Sequence, residues 1–352
     1  MFMTDFYIVK ILFLTTLSFV FTMAWTPGLT HFLYKYKLGK KIRNNGSTPV
    51  FTKMHEHKTG TPTMGGVLVW GTVLVFSLLF FYLSEFLPWE IFKNLNFLSR
   101  GETLLPLGAL VATALVGLVD DWYDVRGKGS FGGGGLKVKH RLLIYTAIAL
   151  VGAWWFYSKL GWDLLHIPFW GSVEIGWLYI LIFILVIVAT AFSVNETDGL
   201  DGLAGGTLLI AFGAYGVIAF TLGKYDLAAF CGVIAGALLA FLWFNINPAR
   251  FFMGDTGSMS LGVTLGVIAM LTNTVLILPL IGFIFVIESL SVIIQVSSKK
   301  LRRGKKVFLS SPIHHHFEAK GWSEPKIVMR AWLIAGVSAA IGLVVFLLDK
   351  TF

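Results

Sequence analysis

The sequence predicts an all-α, polytopic integral membrane protein with about ten transmembrane helices. Three observations predict it. Of the 352 residues, 56% are apolar and only 13% charged, against about 25% charged in a soluble domain, so the chain cannot cover a water-exposed surface. The apolar residues fall in runs of about 20, the length that crosses hydrocarbon as a helix. The single cysteine, Cys231, excludes an intramolecular disulfide framework and thiolate-rich zinc sites. Disorder is excluded as well, since low hydrophobicity defines it.

The first run, roughly 6–30, reads as a retained span and not as a cleaved signal peptide. Asp5 precedes it without an early cation, no small-x-small cleavage site follows, and basic residues come after it. The next runs lie at roughly 62–86, 103–120, 142–160, 174–194, 203–221, 226–244, 257–272, 275–297 and 327–348. Those at 203–221 and 257–272 are short and glycine-rich. In 275–297, Pro279 and Gly282 are points of bending, and Glu288, Ser291 and Gln295 share a face that should turn into the bundle; structural and functional readings of Glu288 stand even. The spans occupy about 60% of the chain, enough to predict one transmembrane domain over 1–352 with no soluble domain between helices. Segments such as Trp177 to Val188 do not alternate apolar with polar residues, so barrel strands are not expected. No internal repeat is visible, which weighs against a transporter built from two similar halves.

Charge sets the orientation. One set of alternate connections (35–58, 120–141, 195–202, 245–256 and 298–330) holds 22 of the 28 Lys and Arg residues, and the other set with the termini holds six. The positive-inside rule makes the first set cytoplasmic and both termini periplasmic. Trp89, Trp162, Trp170 and Trp177 lie in or beside the outer connections, as interfacial anchors should. The basic segments are short and lie against the membrane, so nucleic acid is not an expected partner, and Lys299 to Lys306 reads as an orientation signal facing anionic inner-membrane lipid.

The acids of the basic side cluster at span ends. Asp120-Asp121 closes the third span, Asn195-Glu196-Thr197-Asp198-Gly199-Leu200-Asp201-Gly202 opens the sixth, and Asp255 stands between Phe252-Met253-Gly254 and Thr256-Gly257-Ser258. Carboxylates at a hydrocarbon boundary are costly unless partnered. Beside phosphate, hard oxygen ligands point to Mg²⁺, which takes one or two carboxylates plus substrate oxygens. Asp120 and Asp121, about 100° apart on a helix, cannot aim at one atom. Asn195, Asp198 and Asp201 share a face if their turn is helical. Thr256 and Ser258 fit N-capping of the following helix. Gly60-Thr61-Pro62-Thr63-Met64-Gly65-Gly66 reads either as a plain turn or as a rigid loop whose hydroxyls, with Lys58, face an anion. The Gly132–Gly135 run reads as a flexible loop. In Ser311-Pro312-Ile313-His314-His315-His316-Phe317-Glu318, adjacent imidazoles rarely reach one metal together, so phosphate or pyrophosphate donors fit the three histidines better than zinc ligands do.

These segments, in this order across ten spans, resemble the phospho-N-acetylmuramoyl-pentapeptide-transferase family, within the superfamily of polyprenyl-phosphate N-acetylhexosamine-1-phosphate transferases. The resemblance covers essentially the whole chain, and the His-His-His segment marks the muramoyl-pentapeptide branch. It implies a Mg²⁺-dependent reaction in the bacterial inner membrane, with the site facing the cytoplasm. Undecaprenyl phosphate attacks the β-phosphate of UDP-N-acetylmuramoyl-pentapeptide, giving lipid I and UMP. By the same resemblance Asp255 is the Mg²⁺ ligand, Asp120 takes the proton of the lipid phosphate, and Asp121 positions the metal or a cation. Lys58, Thr63, Asn195, Asp198, Asp201, Asn245, Phe252 and Gln295 line the nucleotide and metal cleft, and His314, His315 and His316 contact the diphosphate or the sugar-peptide. A homodimer is also implied.

Two departures stand out. Asp124 occupies a position where the family carries Lys, which removes a cation unless Arg126 or Lys128 replaces it. Phe192 and Glu196 replace an Asn and an apolar residue of the family pattern. A sibling enzyme using UDP-N-acetylglucosamine would share the acids but not the His segment. A cation-coupled transporter would place its acids near the bilayer midplane, and a purely structural scaffold would not cluster them.

Overall fold

The computed structural model describes residues 2–39, 58–127, 136 and 138–351. Its helices are α1 (Phe2–Lys35), α2 (Val67–Phe86), α3 (Glu90–Leu95), α4 (Leu104–Arg126), α5 (Val138–Trp154, continued by a π-turn over Trp155–Lys159), α6 (Leu178–Thr197), α7 (Leu203–Thr221), α8 (Tyr225–Asn245), α9 (Gly254–Leu271), α10 (Leu278–Ile281), α11 (Phe283–Leu301), α12 (Ile313–Ala319) and α13 (Glu324–Thr351). Among the described residues, nine helices are long and apolar enough to cross a membrane: α1, α2, α4 to α9 and α13. Their outward faces carry exposed Val9, Leu12, Leu185, Leu333 and Val337, as a lipid-facing surface requires. Hydroxyls within the spans bond back to their own helix, as Thr26 does to the Thr22 carbonyl and Thr264 to the Ser260 carbonyl, which satisfies polar groups where water is absent.

The expected span at 275–297 is divided at Gly282 into α10 and α11, at the Pro279–Gly282 bend that the sequence marks. In α11 the polar residues Glu288, Ser291, Gln295 and Ser298 are buried, while Leu290, Ile293, Ile294 and Val296 are exposed. The three- and four-residue spacing puts the polar stripe on one face, and it turns inward as expected.

α9 is the centre of the molecule, buried along nearly its whole length, and it packs chiefly on α4 and α6. Small residues permit that approach. A Cβ on Gly262 would lie 2.9 Å from the Cα of Ala191 in α6. This explains why the shortest span is also glycine-rich: it is enclosed by helices instead of lipid.

One feature departs from the all-helical expectation. Between α5 and α6, β1 (Leu164–Ile167) pairs antiparallel with β2 (Gly171–Glu174), Leu164 opposite Glu174 and Ile167 opposite Gly171. Phe169 and Gly171 take positive φ in the turn, and Asp349 near the end of α13 holds the hairpin through His166 Nε2 at 2.6 Å and the Phe169 amide. At this end Trp89, Trp170 and Trp177 are exposed, the placement that interfacial anchoring requires. Trp162 differs, packing edge-on against Phe156 at 5.4 Å.

At the opposite end, the α4 C-terminus, the α6–α7 turn, the start of α9, α12 and the start of α13 are drawn together by polar contacts, so the acid clusters occupy one end of the bundle. Lys40, Lys41, Arg43, Lys53, Lys128, Lys137 and the Gly132–Gly135 run, all assigned to this side from the sequence, lie outside the described residues.

Candidate active site

Asp120 and Asp121 are both buried at the end of α4, and helical geometry sends them apart as expected. Asp121 accepts the amides of Asp255 and Thr256, each at 3.0 Å, and the Thr63 hydroxyl at 3.2 Å. It therefore caps the first turn of α9, whose unpaired amides favour an anion. This corrects the expectation that Thr256 and Ser258 cap that helix. The Thr256 hydroxyl donates instead to the Ala114 carbonyl, and that of Ser258 to the Gly254 carbonyl. Gly254 has φ +74°, and a Cβ there would lie 2.6 Å from both Asp121 Oδ2 and Thr63 Oγ1, so only glycine lets the carboxylate reach the helix start.

Asp120 faces Arg141, near the start of α5. Arg141 Nε lies 2.8 Å from Asp120 Oδ2, and Nη2 lies 2.7 Å from Asp255 Oδ2. Nη1 donates to Asn195 Oδ1 at 3.0 Å, while Asn195 Nδ2 donates to Asp255 Oδ1 at 2.6 Å and to the Ser258 hydroxyl at 2.9 Å. One guanidinium thus gathers side chains from α4, α6 and α9. In the sequence Arg141 reads only as one of the basic-side charges, with Arg126 or Lys128 as the expected replacement for the missing cation. The Arg126 guanidinium lies instead over the Trp122 ring, 4.6 Å from its centroid.

The turn after α6 is not helical, since Asp198 ends α6 with ψ +50° and Gly202 has φ +83°. Asn195, Asp198 and Asp201 consequently do not share a face. Asp198 accepts the Gly254 amide at 3.1 Å. Asp201 belongs to a second cluster, in which Lys58 Nζ lies 2.7 Å from Asp201 and 2.6 Å from Glu324. Asn247 Nδ2 donates to both acids and the Ala249 amide to Asp201. Two carboxylates therefore hold the Lys58 charge, and Glu324 is a member that the sequence did not single out. Asn245 joins loops, accepting the Gly202 amide and donating to the Phe251 carbonyl. Phe252 lies under the Lys58 ammonium, 5.9 Å from ring centroid to Nζ. Its backbone pairs with Pro62 and Gly65, so Gly60–Gly66 is a fixed loop laid along the start of α9.

The three histidines diverge. His314 Nδ1 lies 2.9 Å from Glu288, and its Nε2, with no hydrogen-bond partner among the described residues, is aimed at Gly199, where an added Cβ would meet it at 2.2 Å. Burial disfavours the charged imidazole, but Glu288, with Glu318 and Glu196 beyond, outweighs it and raises the His314 pKa. His315 pairs with Glu318 at 2.6 Å. His316 Nδ1 accepts the Leu309 amide, and desolvation with the nearby Lys320 lowers its pKa. Gln295 is taken up by backbone, donating to the Phe308 carbonyl and accepting the Val307 and Phe308 amides, so it braces the basic connection.

No group of three or more His, Cys, Asp or Glu residues poised around one metal position occurs among the described residues. Asp120 and Asp255, however, turn carboxylate oxygens to one cation with the Asn195 amide oxygen beside them. Two hard anionic donors form a set that suits Mg²⁺, which takes one or two carboxylates and completes its shell with substrate oxygens or water.

Fold and site together define a class: a polytopic α-helical membrane protein with clustered carboxylates and cations at one end of its bundle. Comparison with known proteins narrows it. Residues 103–273 match glycosyl transferase family 4. A Chloroflexus aggregans protein named phospho-N-acetylmuramoyl-pentapeptide-transferase is 40% identical over 346 residues, 95% of this chain and 89% of that protein. Proteins of the same name from Geobacillus sp. (strain WCH70), 41% identical over 93% of this chain and 95% of theirs, and from Shouchella clausii, 40% identical over 94% and 96%, are similar to it as well. The chain belongs to the phospho-N-acetylmuramoyl-pentapeptide-transferase family.

Proposed function

We propose that this protein transfers phospho-N-acetylmuramoyl-pentapeptide from its UDP carrier to undecaprenyl phosphate, forming lipid I and releasing UMP, the first membrane step of peptidoglycan synthesis. Family membership supports the reaction. The observation that carries the site is the convergence of Asp120, Asp255 and Asn195 on Arg141 at one end of the bundle, where a lipid head group and a water-soluble nucleotide can meet. Transfer between two anions demands positioning and charge neutralisation above all. An oxygen of the lipid phosphate attacks the β-phosphorus, the bond from that phosphorus to the oxygen bridging to UMP breaks, and UMP leaves with the electron pair. Asp255, with Asp120 as second carboxylate, would hold Mg²⁺, which when bound neutralises charge on the diphosphate. Asp120 accepts any proton remaining on the lipid phosphate. Asp121 keeps the α9 N-terminus in place, with its amide dipoles near the phosphates.

Lys58, Thr63, Asp198, Asp201, Asn245 and Phe252 form the wall on the nucleotide side. His314 presents Nε2 toward the acid turn, while His315, His316 and Gln295 shape the segment beside the sugar-peptide. The one-sided charge supports a site facing the cytoplasm with both termini outside, and family membership supports a place in a bacterial inner membrane and carries the expectation of a homodimer. Purified protein given undecaprenyl phosphate and Mg²⁺ should release UMP from UDP-N-acetylmuramoyl-pentapeptide and not from UDP-N-acetylglucosamine. Activity with the second donor alone would assign the sibling reaction.

A further inference from the structure

Glu324 opens α13, the last helix, yet its side chain is engaged by residues from three other parts of the chain, Lys58, Asp201 and Asn247. We propose that Glu324 is a positioning residue of the site: it holds the Lys58 ammonium and the Asp201 turn in one geometry, so that binding of the UDP donor, and not the transfer step, depends on it. The inference rests on the phosphoryl-transfer reading, which places Lys58 and Asp201 on the nucleotide side, and adds to it a residue that acts through those two.

Glu324 Oε1 accepts Lys58 Nζ at 2.6 Å and also the Asp201 amide, while Oε2 accepts Asn247 Nδ2 at 3.1 Å. Its side chain is only 10% exposed, and both oxygens are satisfied, as a carboxylate so placed requires. An ammonium has three donors and a flexible stem. Asp201 Oδ1 at 2.7 Å and Glu324 take two of those donors, which fixes the direction of the third. With Asp201 alone the ammonium would turn about a single bond. Glu324 also holds Asp201 by its backbone, while the Asp201 side chain receives Lys58, Asn247 and the Ala249 amide. The helix that presents Glu324 is itself seated on the turn. Glu324, Val328 and Trp332 are spaced by four and share one face of α13. Trp332 Nε1 donates to the Gly202 carbonyl at 3.1 Å, and a Cβ on Gly202 would lie 3.3 Å from the Trp332 ring and 3.7 Å from Val328. Leu200 and Leu203, on either side of Asp201 and Gly202, share a buried apolar cluster with Ile327, Val328 and Ala331. The carboxylate thus reaches Lys58 from a backbone already fixed against the turn it holds.

Steady-state UMP release by the full chain in lipid nanodiscs reads kcat and the KM for the UDP donor separately. Glu324→Ala should raise KM about tenfold, with kcat within about twofold of the wild type, the pattern of lost binding and not of lost transition-state contact. Glu324→Gln should fall between them, because its amide oxygen still accepts Lys58 and the Asp201 amide while its amide nitrogen opposes that of Asn247. In a Lys58→Ala background the further effect of Glu324→Ala on KM should shrink below about threefold, since the ammonium it held is gone. Thermal unfolding checks the fold, and if Glu324→Ala fails to fold, Glu324→Gln is compared in both backgrounds. A change confined to the thermal midpoint or to kcat, or a KM effect as large without Lys58 as with it, overturns the proposal while leaving the transfer reading intact. A wild type that releases no UMP from UDP-N-acetylmuramoyl-pentapeptide overturns that reading, and the inference with it.

Discussion

Asp121 directs both of its carboxylate oxygens at the first amides of α9 and also receives the Thr63 hydroxyl, so its removal leaves two helix-terminal donors uncapped in a buried setting. Asp121→Ala should therefore lower stability by about 2 kcal/mol, the upper range for a lost cap, visible as a reduced thermal midpoint in detergent. An unchanged midpoint would refute the capping role. The sequence made the divergence of Asp120 and Asp121 legible, because adjacent helical residues point apart. It could not tell which one meets α9, since that partner lies 134 residues further on. Arg141 was illegible for a related reason. Arg126 and Lys128 are the nearest cations in sequence, but reach depends on how α5 packs beside α6, not on distance along the chain.

α9 forms the floor of the site, and its closeness to α4 and α6 fixes Asp255. At Gly117 in α4, an added Cβ would lie 2.4 Å from the Asp255 carbonyl oxygen, which backbone cannot yield without moving the helix start. Gly117→Ala should cost about 1–3 kcal/mol through overpacking and reduce transfer as Asp255 shifts. A variant with wild-type midpoint and turnover would contradict this. Among the elements, the inward polar stripe of α11 was legible because Glu288, Ser291 and Gln295 keep helical spacing, and the break at Gly282 fell where Pro279 announced a bend. The hairpin of β1 and β2 was not legible. Four-residue strands are too short to establish an alternation, and the contact that fixes them joins His166 to Asp349 across 183 residues. Whether Asn195, Asp198 and Asp201 share a face is conditional on a helical turn, because a three-residue spacing fits a helix whether or not the backbone forms one, and Asp198 and Gly202 leave helical geometry.

The chain is asymmetric in charge, with 22 of its 28 Lys and Arg residues in the alternate connections that also carry the acid clusters. Orientation is an expectation at this scale, because it depends on composition of connections and not on packing. Cys231, the only native cysteine, is buried, so thiol labelling starts from a silent background. A cysteine replacing Trp170 in the hairpin turn should react with a membrane-impermeant maleimide added to intact cells, and one placed in the 35–58 connection should not. The reverse pattern would invert the topology. The central claim, that the carboxylates gathered by Arg141 carry out phosphoryl transfer, is tested most directly by UMP release from Asp255→Ala. Arg141 keeps Asp120 and Asn195 as partners in that variant, so its thermal midpoint should stay near that of the wild type while turnover falls by about a thousandfold, the scale of losing a key electrostatic group. Near-normal turnover by the folded variant would contradict the claim.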